Sequence, residues 1–127
     1  HRNVEIGRYL DGDLPIIKMD KQTLQAALQN MVKNSMEAMS DGGQLVVRTR
    51  MMRSGVAVDL IDTGQGIGSS TLIKMFEPFY TTKDSGSGLG LPMAKKVIEA
   101  HGGVINVQSE EGRGTQFTIE FPIPKRL

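Results

Sequence analysis

Cysteine and tryptophan are absent from the sequence, and no apolar run approaches the roughly 18 residues that a membrane-spanning helix needs. The absence of cysteine excludes disulfide bonds and thiolate metal sites, and it suits a reducing compartment such as the cytoplasm. The charges nearly cancel, with 15 Lys and Arg against 14 Asp and Glu. Proteins that bind nucleic acids or membrane surfaces gather a basic excess on one face. We therefore expect a cytoplasmic domain that binds neither.

The chain has 127 residues and a mass of 13.9 kDa, which is the size of one domain. A globule of this size buries roughly two-thirds of the surface of its unfolded chain, so its core needs no disulfide or structural metal. Because the sequence begins with His1 rather than methionine, we expect it to be a piece of a longer protein.

Hydrophobic spacing and turn residues predict the secondary structure. The predicted elements are strands at 4–10 and 15–19, a helix from the N-cap Asp20 to about Met39, strands at 44–51 and 56–62, a helix at 90–101, and strands at 104–108 and 117–123. The first two strands are expected to pair around the turn at 11–13, the next two form a hairpin, and the last two pair around the turn at 111–114. Because two helices are available to cover one face of the sheet, we expect an α+β two-layer sandwich.

Two asparagines, Asn30 and Asn34, lie one helical turn apart beside the apolar stripe of the first predicted helix. A solvated polar flank is one interpretation. Asparagine is a mediocre helix former because its side chain competes for backbone hydrogen bonds, so two in mid-helix point to another use. A neutral amide oxygen suits Mg²⁺, an ion that keeps several waters and takes further ligands from substrate phosphates.

Asp62 ends a predicted strand in which every second residue is apolar, and alternation places its carboxylate on that apolar face. One interpretation is an aspartate that initiates a turn at Thr63 and Gly64. The other is a carboxylate that accepts a hydrogen bond from a ligand amine, such as the exocyclic amino group of adenine. In that case Gly64 and Gly66 let the backbone come close to a flat ring.

The segment 63–89 is irregular and rich in glycine, with a short helical pattern only at 72–76. Its end places Gly86 and Gly88 directly before the second long helix, which begins at Gly90. Such glycines let backbone N–H groups and the positive end of the helix dipole approach a phosphate. A flexible loop that leads into a helix gives the same pattern, and the run matches neither the common P-loop nor the dinucleotide fingerprint.

Five segments, in this order, resemble the characteristic boxes of the ATP-binding catalytic domain of sensor histidine kinases, in the GHKL superfamily. Residues 28–39 are similar to the N box, 62–67 to the first glycine box, 76–83 to the F box, 86–91 to the second glycine box and 112–115 to the third. The resemblance covers nearly the whole chain. It implies a mixed sheet backed by helices, with ATP between the N-box helix and a mobile lid at about 68–87.

The resemblance also implies roles for single residues. It implies Asn34 as the Mg²⁺ ligand, Asn30 near the phosphates and metal waters, and Lys83 reaching the γ-phosphate when the lid closes, although a solvated lid charge is the alternative for Lys83. The other nucleotide-binding residues are implied to be Asp62 at the adenine amino group, Gly64, Gly66 and Ile67 beside the base, Gly86, Gly88, Leu89 and Gly90 at the phosphates, and Thr115 at the adenine edge.

ATPases of the same superfamily carry a glutamate that activates water one helical turn before the metal-binding asparagine. This chain has Asn30 at that position, and an amide cannot take a proton from water near neutral pH. The resemblance therefore implies phosphoryl transfer, which needs positioning and charge neutralisation. Two departures imply modest affinity for ATP: Glu37 stands where many members have a basic residue, and Ala38 where some have an aromatic ring.

In kinases of this type the phosphate acceptor is a histidine on a separate N-terminal dimerisation domain, and this sequence contains no such helix pair. We therefore expect residues 1–127 to be a single catalytic ATP-binding domain. Its implied partners are its own dimerisation and phosphoacceptor domain and a response regulator. The implied parent protein is a homodimer, and anchoring of that parent in a membrane is compatible with the resemblance. Two alternatives stay open, namely a serine protein kinase of the anti-sigma type and a non-catalytic nucleotide-binding module.

Overall fold

The structure is a computed structural model that describes residues 4–10, 21–39, 41–53, 55–77 and 90–122. Its elements are strand β1 (Val4–Tyr9), helix α1 (Lys21–Glu37), strands β2 (Gly43–Met52) and β3 (Gly55–Asp62), helices α2 (Ser69–Lys74) and α3 (Gly90–Ala100), and strands β4 (Val104–Glu110) and β5 (Gly114–Pro122). Within these segments, no helix combines the length and the apolar character that crossing a membrane requires. The predicted α+β class is confirmed.

The five strands form one mixed sheet in the order β1-β2-β3-β5-β4. Both predicted hairpins, β2–β3 and β4–β5, are present, and β3 also pairs antiparallel with β5. β1 runs parallel to β2 with Ile6 opposite Leu45, a pairing that the sequence patterns did not predict. The other strand of the predicted pair, 15–19, lies outside the described residues. Turn residues at 11–13 signal only local pairing, whereas the observed pairing is made across α1.

The hydrophobic core lies between one face of the sheet and the two long helices, as predicted. The fully or almost fully buried residues of this core are Ala27 and Met31 from α1, Ala94 and Ile98 from α3, Leu60, Phe117, Ile119 and Phe121 from the sheet, and Met75 at the end of α2. The apolar stripe of α1 and the alternation of β5 therefore predicted the core-facing sides correctly. The helical pattern in the irregular segment was placed late, because α2 begins at Ser69 rather than Leu72.

The end of α3 shows how the sequence passes from a helix to a strand within three residues. Gly102 has φ of 77°, a left-handed conformation that costs glycine little. Its N–H donates to the carbonyl of Glu99 at 3.0 Å, and the N–H of Gly103 donates to that of Ile98 at 2.9 Å. This is the hydrogen-bond pattern of a Schellman motif, and it directs the chain into β4 at Val104.

The sheet face opposite the helices carries a buried carboxylate that the sequence patterns did not predict. Asp59 on β3 is 0% exposed, and its Oδ2 accepts hydrogen bonds from Nε of Arg48 at 2.9 Å and Nε of Arg50 at 2.7 Å. On the other side, the hydroxyl of Thr118 donates to Oδ1 at 2.8 Å. The carboxylate therefore joins β3 to both of its neighbours, β2 and β5.

These contacts decide the protonation state of Asp59. Burial by itself raises its pKa, but hydrogen bonds from Arg50, Thr118 and Arg48 outweigh burial and lower the pKa to about 2. The same pairing raises the pKa of Arg50. A carboxyl whose pKa is lower in the folded than in the unfolded chain stabilises the fold above its unfolded value of 3.8. That stabilisation is lost as the pH falls through about 2.

We predict that Asp59→Asn lowers the free energy of unfolding by about 3 kcal/mol at pH 7, because it leaves two arginines without their buried carboxylate. The difference between the wild type and the variant should shrink towards zero as the pH falls to about 2. Urea unfolding at several pH values measures this, with Glu99→Gln on the exposed side of α3 as the control for loss of one negative charge. An equal loss in the control, or a difference that does not depend on pH, would contradict the role of Asp59.

Candidate nucleotide-binding site

The carboxylate of Asp62 lies at the end of β3, on the helix-covered face, and the residue is 4% exposed. Its Oδ1 accepts two backbone hydrogen bonds, from the N–H of Gly64 at 2.9 Å and from the N–H of Thr115 at 3.2 Å. Its Oδ2 makes no hydrogen bond with any described residue. The fold therefore uses one oxygen of the carboxylate, and the other makes no contact of this kind within the described part of the chain.

Both interpretations of Asp62 from the sequence have a counterpart in this geometry. The hydrogen bond from the N–H of Gly64 to Oδ1 is that of an aspartate that initiates a turn. The turn uses only this oxygen, so it does not compete with a hydrogen bond to Oδ2. The orientation of the carboxylate is also fixed, because one N–H group from the loop after β3 and one from β5 hold Oδ1 in place.

The loop that follows Asp62 packs tightly on the end of α1. The N–H of Gln65 donates to the carbonyl of Ala38 at 3.1 Å. A Cβ added to Gly64 would lie 2.7 Å from that carbonyl oxygen, so one of the two would have to shift, and it would lie 3.0 Å from Oδ1 of Asp62, which is a tight contact. Gly64 therefore allows the backbone to pack closely against Ala38 and the carboxylate of Asp62, and its role beside a flat ring stays a prediction.

The same loop also packs on the hairpin turn between β4 and β5. The N–H of Gly112 donates to the carbonyl of Gln65 at 2.7 Å, and a Cβ on Gly66 would collide with the carbonyl of Glu110. The first and third predicted glycine segments, 62–67 and 112–115, are therefore in direct contact. The sequence pattern alone did not show this, because the two segments are far apart in sequence and the pairing of β3 with β5 brings them together.

Helix α1 brings one of the two predicted asparagines, Asn30, close to the start of α3. Asn30 is exposed and Asn34 is half-buried. A Cβ on Gly90, the first residue of α3, would lie 3.9 Å from Oδ1 of Asn30. One turn after Asn34 comes Ala38, whose N–H lies 3.2 Å from the carbonyl of Asn34 and whose own carbonyl binds the loop after Asp62. One helix therefore connects the region of Gly90 to the region of Asp62.

A buried hydroxyl on α1 has no partner in the part of the chain that the structure describes. Ser35 is 1% exposed, and its Oγ makes no hydrogen bond there. Buried hydroxyls are almost always paired with protein or with ordered water, so this oxygen is a candidate to bind either a water molecule or a ligand. The sequence placed Ser35 on the apolar stripe and assigned it no role.

The described residues hold no group of three or more His, Cys, Asp or Glu side chains that could bind a metal ion by themselves. A divalent cation at α1 would therefore depend on amide oxygens, waters and the phosphates of a ligand, which is how Mg²⁺ is usually bound with nucleotides. The donor set thus fits a nucleotide-bound Mg²⁺.

Several predicted site residues lie outside the described residues, namely Lys83, Gly86, Gly88 and Leu89. Their roles stay predictions. The predicted lid at 68–87 is described only as far as residue 77, where α2 occupies its first part. Ile67, just before this segment, packs its side chain against the core, and its N–H donates to Oγ of Ser109 at 2.8 Å.

Comparisons with known proteins decide the family. Residues 19–125 match the family described as histidine kinase-, DNA gyrase B-, and HSP90-like ATPases. The chain belongs to this family. Sporulation kinase E of Bacillus subtilis is 41% identical to it over 122 residues, which are 95% of this chain and 16% of that protein. This histidine kinase-type domain thus spans about a sixth of the length of that relative.

Solved structures agree with this assignment. The catalytic domain of histidine kinase ThkA has a TM-score of 0.83 and 34% identity, and the match covers 94% of this chain and 79% of that one. Full-length ShkA, in complex with AMPPNP, has a TM-score of 0.84 and 29% identity, over 95% of this chain and 26% of that one. The histidine kinase resemblance and the GHKL ATP-binding fold are both confirmed.

We predict that Gly64→Ala weakens nucleotide binding at least about tenfold, because the added Cβ must displace either the Ala38 carbonyl or Oδ1 of Asp62. Calorimetric titration with an ATP analogue measures the loss. Gly68→Ala is the matched control, since its Cβ meets only the flexible end of Glu111 and its φ of −69° suits alanine. Equal losses of nucleotide affinity in the two variants would show that the close approach at Gly64 is not required for nucleotide binding.

Proposed function

We propose that this domain binds Mg-ATP and donates the γ-phosphate to a histidine on the dimerisation domain of a sensor histidine kinase. The observation that carries the proposal is the carboxylate of Asp62, which is held by two backbone N–H groups through Oδ1 and offers Oδ2 to a ligand. The ATPase family and the AMPPNP complex of ShkA support a nucleotide as that ligand.

Asp62 favours adenine over guanine. A carboxylate oxygen accepts hydrogen bonds only, and the exocyclic amino group of adenine donates them. Guanine presents an oxo group at the same ring position, which would place two acceptors against each other. The carboxylate is almost fully buried, so an unfavourable contact there is poorly compensated by water.

The metal and phosphates are proposed to lie towards the start of α3. Asn34 would ligate Mg²⁺ through its amide oxygen, and Asn30, which faces Gly90, would contact the phosphates and metal waters. Bound Mg²⁺ would neutralise charge on the transferring phosphoryl group. Lys83, Gly86, Gly88, Gly90 and the N–H of Leu89 are proposed to complete the phosphate site.

Phosphoryl transfer is proposed rather than hydrolysis. Asn30 occupies the helical position at which a glutamate activates water in related ATPases, and an amide has no basic site near neutral pH. The domain then orients the γ-phosphate, while the attacking group comes from elsewhere. We propose that this group is a histidine of the parent protein's dimerisation domain. The parent is proposed to be a homodimer that has a response regulator as its partner, and this domain is proposed to act in the cytoplasm.

Asp62→Asn should raise the Kd for ATP about 10- to 100-fold, because the amide either turns an N–H towards the adenine amino group or gives up the contacts to the Gly64 and Thr115 N–H groups. Calorimetric titration with a non-hydrolysable ATP analogue, with and without Mg²⁺, provides the measurement. Asp41→Asn in the exposed turn after α1 is the charge-matched control and should bind like the wild type. Unchanged affinity in a folded Asp62→Asn domain would refute adenine binding at Asp62.

The isolated domain should bind Mg-ATP without phosphorylating itself, since the acceptor histidine is proposed to lie in another domain. Incubation with ATP labelled on the γ-phosphate tests this, followed by assay for acid-labile phosphohistidine. A longer form of the parent protein that includes the dimerisation domain is the positive control. Phosphohistidine on the isolated domain, at His1 or His101, would contradict the proposal that the acceptor histidine lies in another domain.

A further inference from the structure

Ser109, near the end of β4, makes three contacts with a single hydroxyl oxygen. The N–H of Ile67 donates to Oγ at 2.8 Å, Oγ lies 2.9 Å from the carbonyl oxygen of Gly114, and it lies 2.8 Å from Oγ1 of Thr115. No motif in the sequence assigns this serine a role. It faces the helix-covered side of the sheet, in register with Thr115 and, across β5, with Asp62.

The directions of these three hydrogen bonds follow from counting protons. A serine hydroxyl has one proton to donate and two lone pairs to accept with. The Ile67 N–H can only donate and the Gly114 carbonyl can only accept, so the single proton of Ser109 belongs to Gly114. The bond to Thr115 then has to be made by the proton of Thr115.

This assignment fixes what Thr115 can offer to a ligand. With its only proton committed to Ser109, the hydroxyl of Thr115 presents lone pairs to the site and can accept but not donate. Thr115 is 5% exposed, and its backbone N–H is already bonded to Oδ1 of Asp62. Asp62 and Thr115 are opposite each other in the register of β3 and β5, so the carboxylate and the accepting hydroxyl belong to neighbouring residues on one face of the sheet.

The same oxygen also holds the start of the predicted lid. Ile67 directly precedes the segment 68–87, and its N–H reaches Ser109 across a separation of 42 residues in sequence. Loss of this acceptor would leave a partly buried N–H without a partner. The backbone at Ile67 is therefore tied to the same hydroxyl that orients Thr115.

We infer that Ser109 is a positioning residue for base selection, which locks the hydroxyl of Thr115 as an acceptor and anchors the backbone at Ile67. The inference rests on the proposed function, since it presumes that adenine lies against Asp62 and Thr115. A base or bridging water at this place must donate to both acceptors, which the amino group of adenine can do directly or through water. An oxo group at the same position has no proton to donate, so its contact with either acceptor is unfavourable.

The test compares ATP with inosine triphosphate, which has an oxo group where ATP has the amino group. Ser109→Ala frees the proton of Thr115 to turn towards the site and donate to that oxo group. The ratio of the Kd for inosine triphosphate to the Kd for ATP should then fall about five- to tenfold, the effect of about one hydrogen bond. Ser109→Thr keeps the hydroxyl and should keep the wild-type ratio, and Gln108→Ala, on the opposite face of β4, is the control for a change in the same strand.

A merely structural role would weaken both nucleotides equally and leave the ratio unchanged, which would overturn the inference. Introducing Ser109→Ala into a Thr115→Val background should leave the ratio of that background unchanged, since there is no hydroxyl left to orient. A fall in the ratio of similar size in that background would show that Ser109 does not act through Thr115.

Amide hydrogen exchange in the nucleotide-free domain separates this inference from the proposed function. Ser109→Ala should accelerate exchange at the Ile67 N–H at least about tenfold, while the N–H of Leu72, bonded to the carbonyl of Gly68, exchanges as in the wild type. Unchanged exchange at Ile67 would overturn the anchoring role whether or not ATP binds. A wild-type domain that bound no ATP would overturn the proposed function and the base-selection role together, without affecting the exchange result.

Discussion

Strand β3 buries two carboxylates on opposite faces of the sheet, and each buried carboxylate needs hydrogen-bond partners from the segments around it. Asp59 is satisfied by arginines from β2 and a threonine from β5, and Asp62 by backbone N–H groups from its own loop and from β5. A shift in the register of β5 would remove partners from both carboxylates at once. The contacts that stabilise the sheet thus place Thr115 beside Asp62, where the nucleotide site is proposed.

Local patterns were sufficient for the parts of the molecule whose neighbours are close in sequence. Alternation placed Asp62 on the core face, and the stripe of α1 predicted its buried side. The partner of β1 was missed because parallel pairing through a helix leaves no turn signal. Asp59 was missed because alternation assigns a charged residue on the uncovered face to solvent, and its arginine partners are evident only from the register of β2 against β3.

The sequence motifs of the candidate site were predictable, but the hydrogen bonds that join those motifs were not. Asn30, Asn34 and Asp62 follow from residue type, spacing and resemblance. Ser109 and Ser35 do not, because a serine at the end of a strand or within an apolar stripe is unremarkable until its hydrogen bonds are known. Ser109 joins the loop after β3 to the turn before β5, two segments far apart in sequence that meet only once the sheet has formed.

The most direct test is a crystal structure of the domain with Mg²⁺ and a non-hydrolysable ATP analogue. The account predicts that the adenine amino nitrogen lies about 2.7–3.2 Å from Oδ2 of Asp62, while Oδ1 keeps its bonds to the N–H groups of Gly64 and Thr115. A base bound elsewhere, or an Asp62 that turns Oδ1 to the ligand and abandons those N–H groups, would contradict it.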